Sequence, residues 1–405
     1  MSTSLAPGTA PASTAADRTV PNSFEEIHAA VVALQPLFRE HSARVEEHRR
    51  LPADVVELLR GAGVFRAAAP ASWGGPGLTS VEQTRVVEAA AYGDVSVGWC
   101  TMIGMDSGIY SGFLDQDTAR RVYPSLDLAQ SGWIYPQGNA HRVEGGYLVS
   151  GRWRFGSGIT HCDVLAAGCT VRDDEGGPVT DPRTGKPEWR IALASPSEYE
   201  IVDTWHTTGL AGSGSLDYAV QELFVPEERT FAFNRPVRTG PLHDAPDAIL
   251  RKMSGVPLGL ARAALDHVRG LAPGRVDRET GLPWPADHRV QQAVAEMEME
   301  LTAARASVYS TLERQWEALE RGSERDGDAR AETALARYHA FRTARSIVHR
   351  LFDLVGGASV YRDRSPMDRW LRDANTMCQH AVAQDSILQL TGNILLGGES
   401  TSPFL

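Results

Sequence analysis

The stretch EGGYLVSGRWRFGSG, residues 144–158, decides the fold. Arg152 and Arg154 alternate with Trp153 and Phe155, a period of two that places both aromatic rings on one face of a strand, and glycines bound the run at each end. The same texture extends on either side, from about 126 to 235, in VLAAGCTV (164–171), WRIALASP (189–196) and AVQELFVP (219–226), punctuated by Gly, Pro and Asp. It predicts a central domain of mostly antiparallel strands over 126–235.

On both sides of this block the pattern is helical. Over 24–125, FEEIHAAVVALQPLF and LPADVVELLRGAGVF repeat apolar residues every three or four positions, with a break at PASWGGPG, 70–77. Over 236–405 the helices lengthen. Val290, Val294, Met297, Leu301, Ala304, Val308 and Leu312 line one face and form a bundle seam, with the loop 272–289 before them and a third helix ending at Gly356 and Gly357. Glu296, Glu298 and Glu300 alternate beside the seam without a Glu-x-x-His pair, which reads as a solvated face and not as a metal site. Residues 1–23, rich in Ala, Ser, Thr and Pro, form an expected disordered tail.

Composition narrows the function. The 405 residues carry a formal net charge of -11 with no basic stripe, which argues against nucleic acid and anionic membrane surfaces. Almost all basic residues are arginine, the only lysines being Lys186 and Lys252. Cys100, Cys162, Cys169 and Cys378 show no CxxC spacing, and no run reaches the roughly 18 apolar residues of a membrane span, so a cytoplasmic protein is expected. GSGITH, GLAGSGS and LVGGASV lack the lysine of a P-loop and the spacing of a dinucleotide fingerprint. Ser157 lacks the GxSxG context of a nucleophile elbow, and His161 and Cys162, adjacent on a strand, point to opposite faces and share no metal.

Four blocks, 144–158, 209–229, 255–305 and 354–374, stand in the order and spacing that resembles the acyl-CoA dehydrogenase fold. The resemblance implies an α+β, mostly α architecture: an N-terminal helical domain, a central β-barrel-like domain and a C-terminal four-helix bundle, assembled as a homotetramer or homodimer. Function divides within that fold at RDANTMCQHAVAQ, residues 372–384. The common dehydrogenases keep a glutamate base about eight residues after the Arg-Asp pair; here Ala381 stands there, and His380 precedes it. Read alone, a single histidine in what looks like a buried helix is either a core side chain or a proton-handling group.

With Arg372–Asp373 followed by His380, and with Gly151, Trp153, Phe155, Ser157 and Gly158 in the pattern Gly-x-Trp-x-Phe-x-Ser-Gly, the chain is similar to the flavin-dependent monooxygenases of this fold, the oxygenase components of two-component systems. The resemblance implies reduced flavin, FADH2 or FMNH2, supplied by a separate NAD(P)H-dependent flavin reductase. A C4a-hydroperoxide then hydroxylates a phenol- or indole-type small molecule, as in a biosynthetic pathway. It assigns Ser157 to flavin N5, whose proton it holds, and Phe155, Trp153 and Gly158 to the ring. His380 deprotonates or orients the substrate, with Met377 on its helix face. Trp133 and Tyr135 come from a loop beside the flavin, and Asp106 stands in VGWCTMIGMDSGIYSGF, where some relatives keep a histidine. Arg275 or Arg278, with Gly356 and Gly357, are placed at the flavin phosphate. The alternatives are N-oxygenation of an amine or amino sugar, acyl-CoA dehydrogenation, and a helical binding or scaffold protein without flavin.

Overall fold

The computed structural model describes residues 20–323, 327–400, 402, 404 and 405; the expected tail thus lies, for residues 1–19, outside the described residues. Among the described residues six α-helices come first: α1 (Phe24–His48), α2 (Ala53–Gly61), α3 (Ser80–Gly93), α4 (Val95–Gly104), α5 (Ser107–Tyr110) and α6 (Gln116–Val122). Helix α3 starts at a capping box, Thr79 with Glu82, and α4 at Asp94, whose carboxylate accepts from Val97 N at 3.0 Å and from Ser42 Oγ at 2.6 Å. That second bond ties the start of α4 to α1.

Seven strands follow: β1 (Gln130–Val143), β2 (Gly146–Gly156), β3 (Val164–Arg172), β4 (Trp189–Ala194), β5 (Glu200–Val202), β6 (Leu216–Pro226) and β7 (Thr230–Phe231). They form one sheet in the order β5-β6-β2-β1-β3-β4-β7, in which β1 and β3 run parallel and all other neighbours antiparallel. Three irregularities interrupt it, one on β1 between Trp133 and Gly138 and two on β2, between Val149 and Gly151 and between Trp153 and Gly156. At a bulge the alternation of faces fails locally, and those at Trp133–Gly138 and Trp153–Gly156 lie beside the candidate site.

The chain returns to helix with α7 (Ala248–Arg251), α8 (Gly255–Leu271), α9 (His288–Glu320), α10 (Gly327–Val355), α11 (Met367–Met377) and α12 (Ser386–Leu395). The seam predicted along α9 faces the core, with only Val294 half-buried. The three glutamates beside it pair with arginines of neighbouring helices, Glu298 with Arg262 and Glu296 and Glu300 with Arg350. Helix α8 lies close on α3 because it offers glycine there: a Cβ at Gly255 would meet Thr84 O at 2.5 Å, and one at Gly259 would meet Glu88 O at 2.3 Å. One continuous apolar core therefore joins the first helices to the bundle. Among the described residues no helix is long and apolar enough to cross a membrane.

Candidate active site

The three layers meet at Ser157. Strand β2 ends at Gly156, and the turn that follows is pinned by its backbone: Ser157 O accepts from Ser131 Oγ at 2.7 Å, and Gly158 N donates to Ser213 O at 2.8 Å. The Ser157 hydroxyl is buried and accepts from the indole Nε1 of Trp99, on α4, at 3.0 Å. It also lies 2.7 Å from Ser215 Oγ, which lies 2.7 Å from Ser213 Oγ. The GLAGSGS stretch, rejected as a phosphate loop, thus supplies a row of hydroxyls ending at Ser157.

His380 reaches the same place from the C-terminal side. It is not in mid-helix: α11 stops at Met377, Gln384 Nε2 caps the carbonyl of Cys378 at 2.7 Å, and His380 takes an extended conformation at φ -65°, ψ 146°. Its ring meets that of Trp99 edge-on, centroids 5.7 Å apart. Val382 N donates to His380 Nδ1 at 3.3 Å, so Nδ1 carries the lone pair and the neutral ring bears its proton on Nε2. Burial, reinforced by Arg337, lowers the imidazole to about 4. At neutral pH His380 is a hydrogen-bond donor, not a base poised near 7.

Arg372 and Asp373 hold this arrangement together without facing it. The Arg372 guanidinium bonds Glu46 on α1, Asp368 one turn back and the carbonyl of Thr208, and the buried Asp373 carboxylate accepts from Leu210 N at 2.6 Å. A Cβ at Gly209 would stand 2.2 Å from Arg372 O, so only glycine lets the loop lie this close. Burial raises Asp373 to about 7.

Aromatic rings form the wall beside Ser157. Phe155 is 49% exposed and held at φ +61°, a left-handed conformation that costs a bulky side chain on the order of 1–3 kcal/mol and is typical of functional sites. Trp133 lies 5.7 Å from it and Trp205 6.1 Å, with Tyr135 continuing the row 6.1 Å beyond Trp133. Trp133 and Tyr135 belong to β1, at its bulge, and not to a loop.

Three expected site residues lie elsewhere. Trp153 does not share the face of Phe155, because the β2 bulge separates them; fully buried, it donates to Gly168 O at 2.7 Å and stacks on Tyr218 in the sheet interior. Met377 is fully buried in the helical core. Asp106 is buried in an ion pair with Lys252, 2.5 Å from its Nζ, and burial raises its carboxyl to about 6. Sequence reasoning missed Trp99, Ser213, Ser215 and Trp205, although Trp99 stands in the Gly-Trp pair of the segment quoted for Asp106.

Residues 28–117 match the acyl-CoA dehydrogenase N-terminal domain, and residues 252–385 match an acyl-CoA dehydrogenase C-terminal domain. The chain is 32% identical over 372 residues to indole-3-acetate monooxygenase of Pseudomonas putida, an alignment covering 91% of this chain and 92% of that one. The chain belongs to the acyl-CoA dehydrogenase family, among its flavin-dependent monooxygenases. It is also 28% identical to the flavin-dependent monooxygenase oxygenase subunit HsaA of Mycobacterium tuberculosis, over 88% of this chain and 92% of that one. The fold is that of XiaF from a Streptomyces species, solved with FADH2 and glycerol, at a TM-score of 0.86 and 22% identity over 94% and 98% of the two chains.

The residues present suit the flavin of this monooxygenase family. An exposed aromatic face on strained backbone, a buried hydroxyl able to make one further hydrogen bond, and the buried Nε1 of Trp133, without a partner among the described residues, stand side by side. Away from them, Arg275 Nη1 donates to Val355 O at 3.0 Å, joining the loop after α8 to the turn at Gly356, which has φ +67°. Arg275 lines a cavity of about 280 Å³ there with His267 and Arg364, and its guanidinium lies over Trp284. Arg278 is exposed, as are Gly356 and Gly357.

Proposed function

We propose that this monooxygenase is the oxygenase component of a two-component system that hydroxylates an indole- or phenol-type aromatic small molecule, in the cytoplasm. Reduced flavin comes from a separate NAD(P)H-dependent reductase. The observation that carries the reading is the convergence of Trp99, Ser157 and His380, one from each layer of the fold, beside the aromatic wall of Phe155 and Trp133. Bound reduced flavin supplies the reaction with O2. The chain supplies the rest: Phe155 and Trp133 stack on the ring system and exclude water, and Ser157 meets its N5 edge. His380, through its Nε2 proton, orients the substrate's oxygen or π-face. The substrate class agrees with the indole-3-acetate monooxygenase and with the FADH2-dependent resorcinol hydroxylase of a Rhizobium species, to which the chain is 26% identical over 397 residues.

Dehydrogenation of a thioester finds no support in the site, since Ala381 stands exposed in the short helical turn after His380 and offers no carboxylate. Arg275 and the Gly356–Gly357 turn serve the flavin phosphate of a neighbouring subunit in a homotetramer or homodimer. The test mixes the anaerobic protein with reduced FMN or FAD, adds oxygen and follows flavin absorbance. Reoxidation slower than that of free flavin, with hydrogen peroxide suppressed by an indole or phenol, is expected. Reoxidation at the free-flavin rate would overturn the proposal.

A further inference from the structure

The row of rings beside Ser157 does not end at Tyr135. The Tyr135 ring, 43% exposed, stacks on Trp189 of β4 with centroids 5.4 Å apart and planes at 24°, and Phe404 closes on it at 5.5 Å. Trp189 is itself tied to the strand of Tyr135, since its Nε1 donates to Ile134 O at 2.7 Å. Phe404 is buried and also meets Trp189 at 5.9 Å and Phe233 at 5.8 Å. Its neighbour Leu405 enters a different apolar cluster, between α10 and α12, with Ala334 and Ile387. One guanidinium grips the backbone on both sides of Phe404: Arg330, on α10, donates to Leu405 O at 2.6 Å and to Ser402 O at 3.2 Å. The bundle thus holds a ring against the sheet at the outer end of the site wall.

We infer that Phe404 is a positioning residue for substrate recognition: with Trp189 it clamps Tyr135, and the clamped ring is the surface on which the aromatic substrate packs. The inference rests on the flavin monooxygenase reading above and extends its aromatic wall. Tyr135 touches Trp133, Trp189 and Phe404 and still keeps 43% of its surface open. A ring already held by its neighbours loses no freedom when a ligand stacks on it, so the clamp strengthens binding without itself meeting the ligand. Phe404, 5% exposed, has almost no surface to offer a substrate directly. It therefore acts through Tyr135, on how tightly the substrate is held, whereas His380 orients the bound molecule.

The test measures kcat and KM for indole, or for phenol where the parent turns over only that, at saturating reduced flavin, together with the dissociation constant for reduced flavin. The proteins are the parent, Phe404→Leu, Arg330→Met, Tyr135→Leu and each of the first two variants combined with Tyr135→Leu. Phe404→Leu keeps apolar bulk and removes the ring, whereas Arg330→Met releases the backbone on both sides and leaves the ring, so a folding defect in one does not end the test. Each should raise KM about two- to ten-fold, the range of one aromatic pair, with kcat and flavin affinity within about two-fold of the parent. On the Tyr135→Leu background neither should raise KM further, because the ring they position is gone. A role in packing alone would lower the melting temperature and leave KM at the parent value, and a route that bypasses Tyr135 would give additive increases. Either result overturns the inference and leaves the flavin reading standing. A parent that binds no reduced flavin and hydroxylates neither compound overturns both.

Discussion

If His380 is a donor and not a base, the pH dependence of turnover must show it. A histidine at its ordinary value, about 6.5, would be roughly 3% neutral at pH 5, so a rate that needs it as base would fall about 30-fold from its plateau. Burial holds His380 at about 4. At pH 5 about nine-tenths of the ring then stays neutral, and the rate should fall by no more than about a tenth. The sign follows from desolvation, which penalises the imidazolium, and Arg337 acts in the same direction. The assay is kcat/KM for the aromatic substrate over pH 5 to 8 at saturating reduced flavin, on the parent, His380→Gln and His380→Leu. Gln retains an N–H donor but cannot take up a proton, so it should keep most of the activity that Leu loses. An acid limb near 6.5 in the parent that vanishes in His380→Gln, with Gln as inactive as Leu, would refute the donor assignment.

Other consequences are as direct. Lys252→Met strips Asp106 of its partner and should destabilise the protein by about 3–5 kcal/mol in urea unfolding, whereas Lys252→Met with Asp106→Leu should recover most of that loss; equal losses in the single and double variants would contradict the ion-pair role. Phe155→Gly should relieve the left-handed strain and raise stability by about 1 kcal/mol or more while weakening flavin binding; a loss of both would mean that Phe155 is only packing. Because Asp373 titrates near 7 folded and lower unfolded, its contribution is present in acid and is lost as pH rises through 7. Asp373→Asn, which can still accept from Leu210 N, should therefore gain stability on the parent between pH 6 and pH 8, as read by thermal melts in paired buffers.

The layered order of helices, sheet and bundle was legible because each element repeats its own period over many residues. The site was legible only in part. Phe155 and Ser157 stood in a readable strand, yet alternation also recruited Trp153, since no local signal announces a bulge that turns one ring outward and leaves the other in the core. His380 read as helical because its neighbours suit a helix; the cap from Gln384 to Cys378 O and the bond from Val382 N end the helix instead. Asp106 looked available until folding brought Lys252, 146 residues later, against it. The partnership of Trp99 with Ser157 spans 58 residues and leaves no trace in either segment.

The most direct measurement supplies the enzyme with reductase, flavin, an indole or phenol substrate and isotopically heavy O2, and reads the product by mass spectrometry. Monooxygenation predicts one heavy oxygen atom per product molecule, with the other in water. Product free of heavy oxygen, with all of it recovered in hydrogen peroxide, would contradict the account.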